Sequence, residues 1–345
     1  MDRKTPNKST TRLTRRGLIK ATTLGGAGAL FAPALVGRAL AQDDFPSRTM
    51  QILIPTGEGG GVDRSARAFN AGWGEILGTG FEYGYFPGAA GQVGYETFIG
   101  RREPDAYNLL YGAIGPEMIM YATQNPSYTF PDDYVYFGGV NADDVVIWVA
   151  EDSPFQTLED LIEEGQSRRV NFSGSRLPHP ASIAVFLLAE ETGADFNVIP
   201  YGGGNPARSA ALTGEVDACC THMGSSLSVA DQVRFLTVFQ DENRVPGLTN
   251  DALPVNEIMG TDFPELGGLR AFAIHTAAIE QYPDRFALLK ETMLENFESG
   301  RYDADTLDQG LTPEFNVFVD QEACTRSAME MVELANRFEH LLRDG

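Results

Sequence analysis

Lysine is nearly missing from this 345-residue chain: three of its four lysines fall within the first 20 residues, and Lys290 is the only one after them. Beyond residue 41, 18 basic residues face 47 acidic ones, a net charge of −29. Such a surface repels nucleic acid and anionic lipid over about a Debye length, which argues against both as partners. Acidity with so little lysine points to a salty working environment, where screening shortens that length to about 3 Å at 1 M. An anion that binds here needs a local positive site. Cysteine is scarce as well. Cys219, Cys220 and Cys324 are too few and too oddly spaced for a disulfide framework or a structural zinc site, so no metal and no cofactor is implied. Cys219 and Cys220 sit in an apolar strand pattern and read as small buried hydrophobes.

Long apolar runs are absent too. The best candidate, Ala21 to Val36, is interrupted by Gly25, Gly26, Gly28 and Pro33, whereas a membrane span needs about 18 to 20 unbroken residues. It reads instead as the apolar part of an export signal. Arg12, Arg15, Arg16 and Lys20 precede it, and Ala39-Leu40-Ala41 closes it as a cleavage site. Thr14-Arg15-Arg16-Gly17-Leu18-Ile19-Lys20 matches the twin-arginine pattern. The expectation is export in a folded state to the periplasm or cell exterior, cleavage after Ala41, and a soluble mature protein. The remaining 304 residues exceed what one core usually organises, so two domains with a cleft are expected.

Along the chain, β-rich runs alternate with loops and helices. Met50 to Ile54 is stopped by Pro55, and after a glycine loop Ala66, Phe69, Trp73, Ile76 and Leu77 recur at spacings of three and four. The same order returns at Phe81 to Tyr85 and at Tyr107 to Tyr111. This grammar predicts an α/β fold with mostly parallel sheets flanked by helices. Val145 to Val149 is a further strand, and Thr157 caps a helix running to about Glu164. Strands are then expected at 170–172, 197–200, 216–220 and 234–239, and helices at 180–193 and 206–213. The chain crosses between lobes near 141–150 and returns near 269–274, and two late helices, 284–298 and 320–342, pack on the first lobe. The lobes expected are 42–143 plus 269–345, and 144–268.

The loop Gly57 to Asp63 follows a strand and opens a helix, where main-chain amides and the helix dipole favour an anion. It lacks the lysine of a P-loop and the spacing of a dinucleotide fold. An oxyanion site and a tight turn with Asp63 as helix cap both fit.

Ile54-Pro55, Gly59-Gly60-Gly61, Asp63 and Ala66-Arg67 together resemble the opening of the tripartite tricarboxylate transporter receptors, the TctC or Bug family. Further segments follow in that family's order: Pro87-Gly88-Ala89-Ala90-Gly91, Pro104-Asp105-Ala106-Tyr107, Pro200-Tyr201-Gly202-Gly203-Gly204, Gly214-Glu215-Val216-Asp217, and Asp251 to Glu257. The likeness spans about residues 46 to 275. It implies a two-lobed type II periplasmic-binding architecture closing like a flytrap on a small organic carboxylate: a di- or tricarboxylate, an aromatic acid or an amino acid. It further implies a monomer that delivers its ligand to integral membrane transporter subunits and is not an enzyme. In that family main-chain amides of facing loops hold a carboxylate. Here those loops are Gly57 to Gly61, Ala113-Ile114-Gly115, Ser173-Gly174-Ser175 and Tyr201-Gly202-Gly203-Gly204, with Thr56 and Asp63 beside the first of them as further candidate ligand contacts. The final 70 residues resemble the family poorly, so they are not expected in the pocket.

Departures from the pattern bear on the ligand. Thr56 and Glu58 stand where the family commonly has Phe and Pro; Glu58 either meets a ligand ammonium or faces solvent. Gly202 replaces the usual lysine. Arg176, in a shortened loop before His179, is a bidentate carboxylate clamp or a surface cation. Arg270, on the returning strand, meets a distal ligand carboxylate or a structural acid. If both arginines face the cleft, a dicarboxylate is favoured over a monocarboxylate. Tyr201 and Phe172 wall the ligand or belong to the core. His179 matches a family histidine and steadies its loop, and His222 suits a turn or hinge. Two other functions stay open: a sensor accessory docking to a membrane kinase, and a periplasmic hydrolase or lyase using the glycine loop as an oxyanion hole.

Overall fold

The apolar run stopped by Pro55 becomes β1 (Met50–Ile54), buried on both faces as a parallel strand between helical layers should be. It belongs to a computed structural model that describes residues 44–343, all in the chain's second compact unit, which begins at Asp44. The export segment and the cleavage point after Ala41 lie outside the described residues. α1 (Gly61–Leu77) leads to β2 (Phe81–Tyr85), α2 (Gln92–Arg101) to β3 (Asn108–Ala113), and α3 (Ile114–Gln124) follows. β1 pairs in parallel with both β2 and β3. Ala66, Phe69, Trp73 and Leu77 form the buried face of α1.

β4 (Tyr134–Ala150) is 17 residues long, about 55 Å of extended chain, and serves two sheets. Up to Asp144 it pairs antiparallel with β9 (Gly267–His275). From Val145 it pairs antiparallel with β7 (Ala218–His222) and β8 (Val233–Val238). The chain from β4 to β9 also holds α4 (Leu158–Ser167), β5 (Val170–Gly174), α5 (Pro180–Thr192), β6 (Phe196–Pro200), α6 (Gly204–Leu212), the short α7 (Met223–Ser226) and α8 (Val255–Met259). β5 pairs in parallel with β6 and β7. β9 also pairs antiparallel with β3, so the order runs β2-β1-β3-β9-β4-β7-β5-β6. The α/β class read from the sequence is the one observed, with parallel strands at the far ends and antiparallel strands where the sheets meet.

Only 145–149 is expected as strand from the sequence, because Gly138, Gly139, Asn141, Asp143 and Asp144 break the apolar run. Register shifts absorb the residues around the two glycines, and the buried polar residues find cations: Asn141 and Asp143 meet Arg270, and Asp144 meets Arg244.

After β9 come α9 (Thr276–Gln281), α10 (Pro283–Glu298), α11 (Arg301–Asp308), β10 (Asn316–Asp320), α12 (Gln321–Arg337) and α13 (Glu339–Arg343). α11 and β10 are absent from the sequence reading, and the single helix expected over 320–342 breaks at Phe338. Nor does the C-terminal end stay on the first sheet: Arg337 pairs with Glu190 of α5 at 2.7 Å and the Phe338 ring packs on Phe186. Cys219 and Cys220 alternate into separate hydrophobic clusters, and all three cysteines are free and buried.

Candidate functional site

Helix mouths from both sheets converge on a cleft of about 840 Å³ and an adjoining chamber of about 300 Å³. Gly61 at the start of α1, Asp143 of β4, Gly204 at the start of α6, Ser225 of α7 and Arg270 of β9 line both. The first-turn amides of a helix have no intrahelical acceptor, so α1 and α6 present donors with the positive end of their dipoles. Arginine reinforces them. Arg64 and Arg208 line the larger space, Arg176 the smaller, and Arg270 both. In a chain this acidic, that concentration of cations is the local positive site the composition calls for.

Each charge is held in a particular way. Arg270 donates to Asp143 Oδ2 at 2.8 Å and to the Asn141 side chain, so its charge is largely compensated. Asp143 also accepts from the Gly224 amide at 2.7 Å. Gly61 makes room for the guanidinium: a Cβ there would lie 3.1 Å from Arg270 Nη2. Arg176 reaches from the loop after β5 to the Ala90 carbonyl at 3.0 Å, in the turn before α2, and makes no salt bridge among the described residues.

His179 caps α5, its Nδ1 accepting from the Ala181 amide at 3.1 Å. Its ring lies 4.5 Å from that of His222. Burial drives His179 well below the ordinary histidine value and lowers His222 to about 4, so both are neutral at pH 7. Glu117, on the first turn of α3, is 1% exposed and borders the same chamber. Burial pushes its carboxyl up to about 8, although Arg176 and the Ala113 amide pull the other way. That amide does not meet ordinary hydrogen-bond geometry with either oxygen.

Of the residues singled out from sequence, Thr56, Gly61, Ala113, Ser175, Arg176, His179 and Arg270 line the smaller chamber, and Gly59, Gly60, Gly61, Gly203 and Arg270 the larger. The others lie elsewhere. Gly57 and Glu58 are exposed, and the Glu58 carboxylate, 72% accessible, faces Arg67 at 3.8 Å. Asp63 is buried and accepts from the Gly59 amide at 2.7 Å, Arg67 Nε at 2.9 Å and the Tyr85 hydroxyl at 3.0 Å. It therefore locks the glycine loop, with Gly59 at φ 76°, and takes one amide away from any ligand. Ile114 is core, and Gly115 packs against the Gly267 carbonyl and the Pro180 ring. Ser173 is fully buried, and the Gly174 carbonyl accepts from the Tyr201 amide. Tyr201 turns its hydroxyl to Glu215 at 2.9 Å, Gly202 is an exposed turn, and Phe172 packs on Phe196 in the core.

Sequence reasoning passed over Asp143, Glu117 and His222 as cavity residues. Adjacent aspartates inside an apolar strand were the visible signal, since buried carboxylates require partners. Gly310, Leu311, Thr312 and Phe315 also line the larger cleft, which corrects the expectation that the last 70 residues stay away from it. Ser225 shares the chamber with His222, but its hydroxyl donates to the His222 main-chain carbonyl at 3.0 Å and not to the ring, as a nucleophile would.

Two α/β sheets that share the long strand β4 around a cation-lined cleft define the fold of a periplasmic binding protein. The profile of the tripartite tricarboxylate transporter family receptors matches residues 66–250, and the chain belongs to that family. Protein BugT of Bordetella pertussis is 27% identical over 204 residues, 58% of this chain and 62% of its own length. A UPF0065 protein from the TAR-I ttuE-ttuC' intergenic region of Agrobacterium vitis is 26% identical over 193 residues, 55% of this chain and 56% of its own. The chain thus spans 56% and 62% of the length of these two relatives. Among solved structures, a TctC solute binding protein from Polaromonas superposes with a TM-score of 0.68 at 21% identity, covering 85% of this chain and 99% of its own. MatC from Rhodopseudomonas palustris with bound malate gives 0.65 at 20% identity (87% and 100%), and an R. palustris protein with adipate gives 0.71 at 18% (87% and 98%).

Proposed function

We propose that this chain is an extracytoplasmic receptor that captures a small organic carboxylate between two lobes and hands it to integral membrane transporter subunits, without catalysing a reaction. The lobes are residues 42–143 with 269–345, and 144–268, hinged where β4 passes from one sheet to the other and where the chain returns into β9. Export by the twin-arginine route, cleavage after Ala41 and a monomeric state complete this reading. The observation that carries it is Arg176, a cation without a salt bridge among the described residues, projecting into a chamber ringed by helix mouths of both sheets. A carboxylate there is held by a charge-assisted bond and by oriented amides, which suits a protein nearly devoid of lysine.

A ligand that touches both lobes shifts the population toward the closed form, which the transporter recognises. The test is a thermal-shift screen over dicarboxylates, aromatic acids and amino acids, followed by solution scattering with each hit. A good ligand raises the melting temperature and shrinks the radius of gyration. A tight ligand that does neither rules out capture by closure.

A further inference from the structure

Resting on the receptor reading, we propose that Glu117 recognises an ammonium group on the ligand, so that the smaller chamber takes an amino acid with its carboxylate toward Arg176 and binding expels the Glu117 proton. The geometry reaches this from two directions.

The first is charge balance. Asp143 neutralises Arg270, which leaves Arg176 as the uncompensated cation among the described residues of the 300 Å³ chamber. One carboxylate is matched. A second would lie beside Glu117 with no further free cation in that chamber. That two arginines line the space therefore does not by itself favour a dicarboxylate.

The second is the set of buried polar atoms. Among the described residues, both Glu117 oxygens, Thr56 Oγ1 and His222 Nε2 have no hydrogen-bond partner, and all three residues border this chamber. Buried polar groups left unsatisfied are destabilising and uncommon. The three come from separate elements: the loop after β1, α3 and the end of β7. Each can accept a hydrogen bond, His222 as its Nδ1–H tautomer, and an ammonium group carries three donors. Glu117 itself is held close, since a Cβ on Gly91 would lie 2.7 Å from its Oε2 and 3.1 Å from the Pro55 carbonyl.

The groups facing Glu117 across its packing are Arg176, the phenols of Tyr95, Tyr128, Tyr134 and Tyr136, and the neutral His179 and His222. Burial holds the protons on the four phenols and keeps the two imidazoles neutral near pH 7, so the proton that binding displaces is the one on Glu117. An ammonium beside it favours the carboxylate, so binding releases a proton and affinity rises with pH until about 8, where the free carboxyl is already ionised.

Calorimetry on the purified protein with three carbon skeletons, each as amino, hydroxy and unsubstituted acid, tests this: alanine, lactate and propionate; aspartate, malate and succinate; phenylalanine, phenyllactate and phenylpropionate. In at least one series the amino acid should bind at least about tenfold tighter than its two analogues. Titration at pH 7 in phosphate and in Tris should show release approaching about one proton per amino acid bound. Glu117→Gln should cost the amino acid about tenfold, leave the hydroxy acid within about twofold, and abolish the proton release. Acids that bind without preference for the ammonium, or a preference and proton release unchanged in Glu117→Gln, overturn this inference and leave the receptor reading standing. Failure of all nine to bind overturns both.

Discussion

Arg270 Nη2 donates to Asp143 Oδ2 across 2.8 Å, joining β9 to β4 one residue before β4 leaves one sheet for the other. The second oxygen of Asp143 holds the Gly224 amide of α7, so a single carboxylate ties β9 and the crossing strand β4 to the second sheet's cleft wall.

Removing either partner leaves a buried group unmatched and should cost about 3–5 kcal/mol in urea denaturation. Ligand affinity separates the two changes. Asp143→Ala frees a cation in the chamber and should hold or strengthen carboxylate binding, whereas Arg270→Ala should weaken it. Equal shifts of affinity in the two variants would mean that Arg270 acts only as a brace.

At Gly61 the conflict is local. A methyl group there meets Arg270 Nη2 at 3.1 Å, while alanine on the first turn of α1 is well tolerated by the helix. Gly61→Ala should leave stability within about 1 kcal/mol and reduce ligand affinity at least about tenfold. Calorimetry and thermal melts read the two effects separately, and unchanged affinity would remove Gly61 from the site.

Stability should fall as pH rises through the neutral range. Burial raises Glu117 from 4.5 to about 8 and Asp144 from 3.8 to about 7, the latter against the pull of Arg244. Both bind their proton more tightly folded than unfolded, so their contribution is complete below the unfolded values and is lost as pH climbs to 7 and 8. His222, lowered to about 4, has the opposite sign and penalises the folded state as pH drops below 6.5. Glu117→Gln should therefore narrow the loss between pH 5 and pH 8 by roughly 3–4 kcal/mol. An identical loss in variant and parent would show that Glu117 is ionised in the folded protein.

Salt should stabilise this protein. With 47 acids against 18 bases after residue 41, self-repulsion weakens the compact form, and molar salt screens it to about 3 Å. The exposed ion pairs that salt also screens are worth only about 0–1 kcal/mol each. The melting temperature should rise from dilute buffer to 1 M potassium chloride, and a flat or falling curve would detach the acidity from a saline habitat.

The order of strands and helices up to β3 was legible because each has its own period: Ala66, Phe69, Trp73 and Leu77 mark a helix face wherever they sit, and Met50 to Ile54 marks a buried strand. The glycine loop after β1 was legible for the same local reason. What the sequence could not assign was the duty of each polar residue. Asp63 looked like part of the site, yet it closes its own loop through Gly59, Arg67 and Tyr85. Asp143, Glu117 and His222 looked unremarkable, yet β4, α3 and β7 bring them to one chamber. A hydrogen bond between neighbours in sequence is settled by local geometry, and the chain alone determines it. Whether a buried charge meets Arg270 or Arg176, more than 50 residues away along the chain, depends on where β4 crosses between sheets and on what is packed beside it, and only the tertiary structure decides that.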